Sequence, residues 1–174
     1  MSRAFVKDSD DDMAAGELPE RPVPGHANYV TSHGLGELQA RLKELQEEHE
    51  RLAPLAADDS NAKQRLRVLE RDLRYFNAQL ERAEVVDLHG QPRDEVHFGA
   101  AVTIRDEAGK EHRFTIVGDD EADVSAGRIS WASPLAKAMI GARVDDTVIW
   151  RRPAGDAEVE IVEISYPKGM TERA

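Results

Sequence analysis

Two carboxylates, Asp58 and Asp59, stand side by side in the stretch LAADDSNAKQ, residues 55–64. Paired acids hold Mg2+ through their oxygens and orient a water for attack on a phosphodiester, usually with further carboxylates already fixed in a larger site. The same residues have a plainer use. Asp59 or Ser60 suits an N-cap, where negative charge is favoured by the helix dipole. Residue type alone leaves both readings open. Downstream lie Lys63, Arg65, Arg67, Arg71 and Arg74, of which Lys63, Arg67, Arg71 and Arg74 recur every three or four residues and share one helix face. Such a stripe either pairs with glutamates on a neighbouring helix or contacts the phosphates of single-stranded nucleic acid.

Other chemistry is sparse. The acidic run Asp119, Asp120, Glu121 and Asp123 lacks the ligand offsets of a calcium loop, so it reads as a solvated cap on a sheet end or a loose divalent-cation site. Six histidines (His26, His33, His49, His89, His97 and His112) show no zinc-finger or metalloprotease spacing, and no cysteine accompanies them. There is no serine nucleophile elbow, and Gly141 and Gly155 belong to turns. A self-contained enzyme is not expected.

The elements that must position the acid pair are legible as two periodic series. Leu35, Leu38, Leu42, Leu45, His49 and Leu52 alternate three- and four-residue steps after the N-cap candidates Thr31 and Ser32, and Pro54 stops the run. Ala62, Leu66, Leu69, Leu73, Phe76, Leu80 and Ala83 repeat the pattern. The first arm is rich in glutamate and the second in arginine, which favours pairing of the two as an antiparallel helical hairpin over residues 31–85. With little to bury against except itself, the hairpin should project. From Val96 the period becomes two: Val96 to Ile104, then His112 to Ile116, then RISW, DTVIW and EVEIVEISY predict about five strands. Ser133-Pro134 opens one short helix that Gly141 closes. The fold class is therefore α+β: a coiled-coil hairpin, then an antiparallel sheet domain with one short helix over residues 86–168. Residues 1–30 read as an extended, largely disordered leader, acidic at Asp8, Asp10, Asp11 and Asp12 and then proline-rich, with docking through Val23, Tyr29 and Val30 as the alternative. Residues 169–174 read as a tail.

The net charge of −11 disfavours broad adsorption to duplex nucleic acid. The absence of cysteine suits a reducing compartment, and neither a signal segment nor a membrane-length apolar run is present. The expectation is a cytoplasmic, soluble monomer with no membrane partner.

The order of parts carries a resemblance. A helical hairpin followed by FGAAVTIRD, FTIVGDDEAD, ISWASPLAKAMIGARVDDTVIW and PAGDAEVEIVEISY resembles the Gre family of bacterial transcription elongation factors over residues 31–166. The leader SRAFVK…LPERPVPGHANYVT resembles the GreB-like branch. The resemblance implies an FKBP-like C-terminal domain that docks on RNA polymerase, with a hairpin inserted into the polymerase's secondary channel. It also implies a tip, here Asp58 and Asp59, that shares Mg2+ with the polymerase active site and stimulates cleavage of backtracked RNA. Polymerase contacts would fall on Ser133, Pro134, Leu135 and Ala136, and contacts to the nascent RNA 3′ end on Lys63, Arg65, Arg67 and Arg71. The factor would be accessory, with no cofactor of its own. Here the tip acids are adjacent instead of three apart, and the arms are short enough to remove about 10 Å of reach at 1.5 Å per residue. Short arms also resemble the Rnk-type regulators, which makes a non-cleaving occupant of the channel the alternative. A peptidyl-prolyl isomerase, the other use of an FKBP-like shape, is disfavoured because four Phe, three Tyr and two Trp spread along the chain do not line its pocket.

Overall fold

In the computed structural model, residues 18–167 are described; the acidic cluster at 8–12 and the expected tail at 169–174 lie outside the described residues. Helix α1 (Ser32–Leu52) starts at Thr31, an extended residue whose hydroxyl accepts from the Gly34 amide at 2.9 Å. Pro54 sits in a short 3-10 turn, Ala53–Leu55, where its missing N–H costs nothing, and α1 ends there. Helix α2 (Ser60–Glu81) follows. Leu38, Leu42 and Leu45 of α1 and Ala62 and Leu69 of α2 are buried along the seam, and Glu48 meets Arg65 across it, so the arms run antiparallel.

Towards the base the buried face of α2 shifts. Tyr75 and Gln79 go inside, whereas Phe76 and Leu80, expected on the seam, are only half-buried. The cause is a third body: the turn Asp119–Glu121 of the C-terminal domain covers α2 there, hydrogen-bonding to both Tyr75 and Gln79.

The described part of the leader, residues 18–30, corrects the expectation of disorder. Strand β1 (Asn28–Val30) pairs in parallel with β2 (Ala83–Val85), the strand that follows α2. Arg21 lies over the Tyr75 ring at 3.8 Å, and Glu20 forms an ion pair with Arg74. Tyr29 packs on Trp131 at 4.9 Å and Val30 is buried, while Val23 stays exposed. Main-chain bonds and cation–π contacts hold this segment. Its low apolar content was therefore a poor guide.

The C-terminal domain is a five-stranded sheet in the order β5–β4–β3–β7–β6, built from β3 (Ala101–Asp106), β4 (Glu111–Val117), β5 (Arg128–Ser130), β6 (Thr147–Trp150) and β7 (Ala157–Ser165). Pairings are antiparallel except β4 with β5, so the sheet is mixed and not wholly antiparallel as expected. The reason is the acidic segment after β4. Two 3-10 turns, Asp119–Glu121 and Val124–Ala126, carry the chain back to Thr115, so β5 runs parallel to the last three residues of β4. Helix α3 (Pro134–Met139) packs Leu135, Ala136 and Met139 onto a core of Val96, Val102, Ile104, Ile116, Val159 and Ile161. Among the described residues, no helix is long and apolar enough to cross a membrane.

Candidate functional site

At the hairpin tip the two adjacent acids separate into different jobs. Asp59 is the N-cap of α2: its Oδ1 accepts from the amides of Asn61 at 2.8 Å and Ala62 at 3.3 Å, satisfying two of the donors a helix start leaves unpaired. Ser60 is the first helical residue and not the cap. Asp58 is exposed, and its carboxylate has no hydrogen bond or ion pair among the described residues; only its amide is engaged, donating to Leu55 O at 3.2 Å. The tip thus presents one uncommitted carboxylate beside one that the fold already uses. This donor set does not suit a resident metal. Asp59 has one oxygen left over and Asp58 is the neighbouring carboxylate, so the pair could lend ligands to a Mg2+ held mainly elsewhere but offers no closed set of its own.

The basic stripe is also divided. Arg65 makes a two-pronged ion pair with Glu48 at 2.8 and 3.1 Å, and the guanidinium holds the Glu48 carboxyl below its ordinary range. Arg71 is turned onto Asp72 at 2.9 Å, and Arg74 onto Glu20 of the leader. Lys63 and Arg67, one turn apart and exposed, form no ion pair among the described residues. Of the four expected RNA contacts, Lys63 and Arg67 keep unneutralised charge, and they lie five and nine residues from Asp58 in the sequence.

In the α3 segment, Ser133 caps the helix by accepting from the Ala136 amide at 3.3 Å. Leu135 is 4% exposed and Ala136 0%, which corrects their assignment to a contact surface: both are core residues. The surface of this segment is made by others. Pro134, Lys137 and Ala138 on one side and Ile149 and Arg151 on the other line a shallow hollow of about 440 Å3. Lys137, Ile149 and Arg151 were missed from sequence. Helical spacing from Pro134 marks Lys137, and period-two alternation in DTVIW places Ile149, 55% exposed, opposite the buried face.

The acidic run at 119–123 is neither a solvated cap nor a cation site. The Asp119 carboxylate receives Ser130 Oγ and lies 2.5 Å from His26 Nε2; Asp120 accepts from Tyr75 and Gln79; Glu121, buried, accepts from the Thr31 hydroxyl and amide and from the Gly118 amide. Asp123 caps the next turn through Ser125 and Ala126. Among the described residues, no group of three or more His, Asp or Glu is arranged to hold a metal ion.

Known proteins are similar to this chain in sequence. The family model for the C-terminal domain of the transcription elongation factors GreA and GreB matches residues 91–166. The GreA of Trichlorobacter lovleyi is 46% identical over 111 residues, spanning 63% of this chain and 70% of that protein. The GreB of Pasteurella multocida is 34% identical over 155 residues, spanning 82% of this chain and 98% of that one. A solved GreA/GreB factor from Nitrosomonas europaea is 28% identical, covering 79% of this chain and 98% of its own, with a TM-score of 0.40. With the Pasteurella GreB 34% identical and matched over 98% of its length, the GreA matched over 70% of its own, and the C-terminal family model matched as well, the chain belongs to the GreA/GreB family of transcription elongation factors.

Proposed function

We propose that this chain binds RNA polymerase through its C-terminal domain, places the hairpin in the secondary channel, and stimulates cleavage of backtracked RNA with Asp58 as the acting carboxylate. Family membership supports the polymerase as partner and an accessory role, since Gre factors stimulate the polymerase and are not enzymes themselves. The observation that carries the assignment to Asp58 is the division of the acid pair. Asp59 is spent on two amides of α2, and Asp58 is exposed at the most distal turn, its carboxylate without a partner among the described residues. The polymerase's own carboxylates complete the site, and a Mg2+ shared with them would polarise the phosphodiester and activate the attacking water. Asp58 adds an acceptor to that water, while Lys63 and Arg67 offer charge to the phosphates of the displaced RNA 3′ end. The hollow beside α3, with Pro134, Lys137, Ile149 and Arg151, is the docking surface, and Ser133 fixes its helix. The protein acts as a cytoplasmic monomer. The named relatives are GreA and GreB factors, which favours this reading over a Rnk-like occupant of the channel.

The test is RNA cleavage in stalled, backtracked elongation complexes. Asp58→Ala should lower the stimulated rate at least tenfold with little change in the concentration needed for half effect, the pattern of a group that acts in the transition state and not in binding. Equal stimulation by wild type and Asp58→Ala, or none by wild type, would overturn the reading.

A further inference from the structure

The three consecutive acids Asp119, Asp120 and Glu121 each grip a different part of the molecule. Asp119 holds the leader at His26, together with Ser130 of β5. Asp120 holds α2, accepting from Tyr75 Oη at 2.9 Å and Gln79 Nε2 at 2.7 Å. Glu121 holds the start of α1 through Thr31, the very residue whose hydroxyl caps that helix. One turn, rooted in the sheet domain, therefore meets the leader and both arms of the hairpin at its base. Gly34 of α1 lacks the Cβ that would overlap the Glu121 carboxyl, and a Cβ on Gly118 would lie 2.5 Å from Tyr29 O; the approach is close enough that small residues are required on both sides. We propose that the turn Asp119–Glu121 is a clasp that aims the hairpin, with Asp120 as a positioning residue for the tip.

This inference rests on the tip acting as described in the preceding section. Its physical basis is leverage. From Gln79 to Asp59 is about 30 Å of helix at 1.5 Å per residue, so a change of tilt of about 10° at the base moves the tip about 5 Å. A carboxylate that shares a metal or a bound water must be placed within a fraction of the roughly 2.1 Å metal–oxygen distance. Contacts at the base thus control geometry at the tip without touching substrate. Asp120 is the member to perturb. It is exposed, unlike Glu121, so its removal frees the arm without opening the core.

The chain has no cysteine, so a nitroxide pair at Ala57→Cys and Asp156→Cys, both on exposed turns, reports the distance from tip to sheet in the free protein. In Asp120→Ala that distance distribution should shift or broaden by about 5 Å, with the melting temperature of the sheet domain unchanged. Maximal cleavage stimulation should fall on the order of tenfold or more while the half-saturating concentration stays within about twofold, as expected of a misplaced group. Asp120→Asn, which keeps an acceptor oxygen, should restore most of both. An unchanged distance distribution in Asp120→Ala, or a loss of affinity that accounts for the loss of cleavage, refutes the clasp. If the wild type itself fails to stimulate cleavage, the function proposed above falls, and the spin-label distances still decide whether the turn aims the arm.

Discussion

Replacing Asp59 separates its cap from its charge. In Asp59→Ala the amides of Asn61 and Ala62 lose their acceptor, one at a good 2.8 Å and one at a weak 3.3 Å. Both lie at an exposed helix start where water can replace the carboxylate, so the loss sits mid-range for a cap, about 1 kcal/mol. In Asp59→Asn the side-chain oxygen remains and only the favourable charge–dipole contribution goes, about 0.3 kcal/mol when exposed. For a chain of this size 1 kcal/mol corresponds to about 2–4 °C in melting temperature. Thermal unfolding followed by helical circular dichroism should show Asp59→Ala melting about 2–4 °C early and Asp59→Asn within 1 °C or so of wild type. Asp58→Ala, with no partner to lose, should change stability by no more than about 0.5 kcal/mol. Cleavage assays on the same proteins complete the test: Asp59→Asn keeps most stimulation and Asp58→Ala loses it. An asparagine variant as unstable as the alanine, or an alanine variant as stable as wild type, would show that Asp59 is not holding the helix start.

Two glycines two residues apart in α1 should respond in opposite directions. Gly34→Ala meets the Glu121 carboxyl and should lower stability by about 2 kcal/mol or more in urea unfolding, the usual cost of overpacking at a buried contact. Gly36→Ala has open space and a helical backbone and should gain about 0.5–1 kcal/mol. Burial, reinforced by the hydrogen bond to Asp120, pushes the Tyr75 hydroxyl up to about 12, from an ordinary value of 10.0. A raised pKa means its contribution is fully present below pH 10 and is lost as pH climbs towards 12. Ultraviolet titration should therefore show a late-ionising tyrosine that disappears in Tyr75→Phe, and that variant should lose less stability over the same alkaline window.

The hairpin was readable because its signal is local and repeated. Leu38, Leu42 and Leu45 recur at helical spacing, Pro54 marks a stop, and a cap was visible at Asp59 or Ser60. The short helix α3 announced itself in the same way through Ser133-Pro134. What escaped depends on partners distant in sequence. Strand β1 has three residues, too few for alternation to register, and its partner β2 lies 55 positions away. The acidic run looked like a solvated loop because nothing near it in sequence names Thr31, Tyr75 or Gln79 as its donors. Leu135 and Ala136 matched a segment with a known role, yet helical geometry turns those two inwards and leaves Pro134 and Lys137 outside. At the tip, spacing could not say which aspartate would be free, since that follows from which residue begins the helix.

The parallel pairing of β1 with β2 has one more consequence. The chain enters and leaves the hairpin through neighbouring strands that are hydrogen-bonded to each other, with Val86 N donating to Val30 O at 3.0 Å immediately beyond. The hairpin is therefore a loop with its two ends tied together, and among the described residues its arms meet the sheet domain near the base, through the turn Asp119–Glu121 and the ion pair of Glu37 with Arg128. Whole heptads added to or removed from both arms would preserve the leucine seam and leave the knot undisturbed. Arm length is in this sense a dial that mutation can turn independently of docking, in steps of about 10 Å for each heptad.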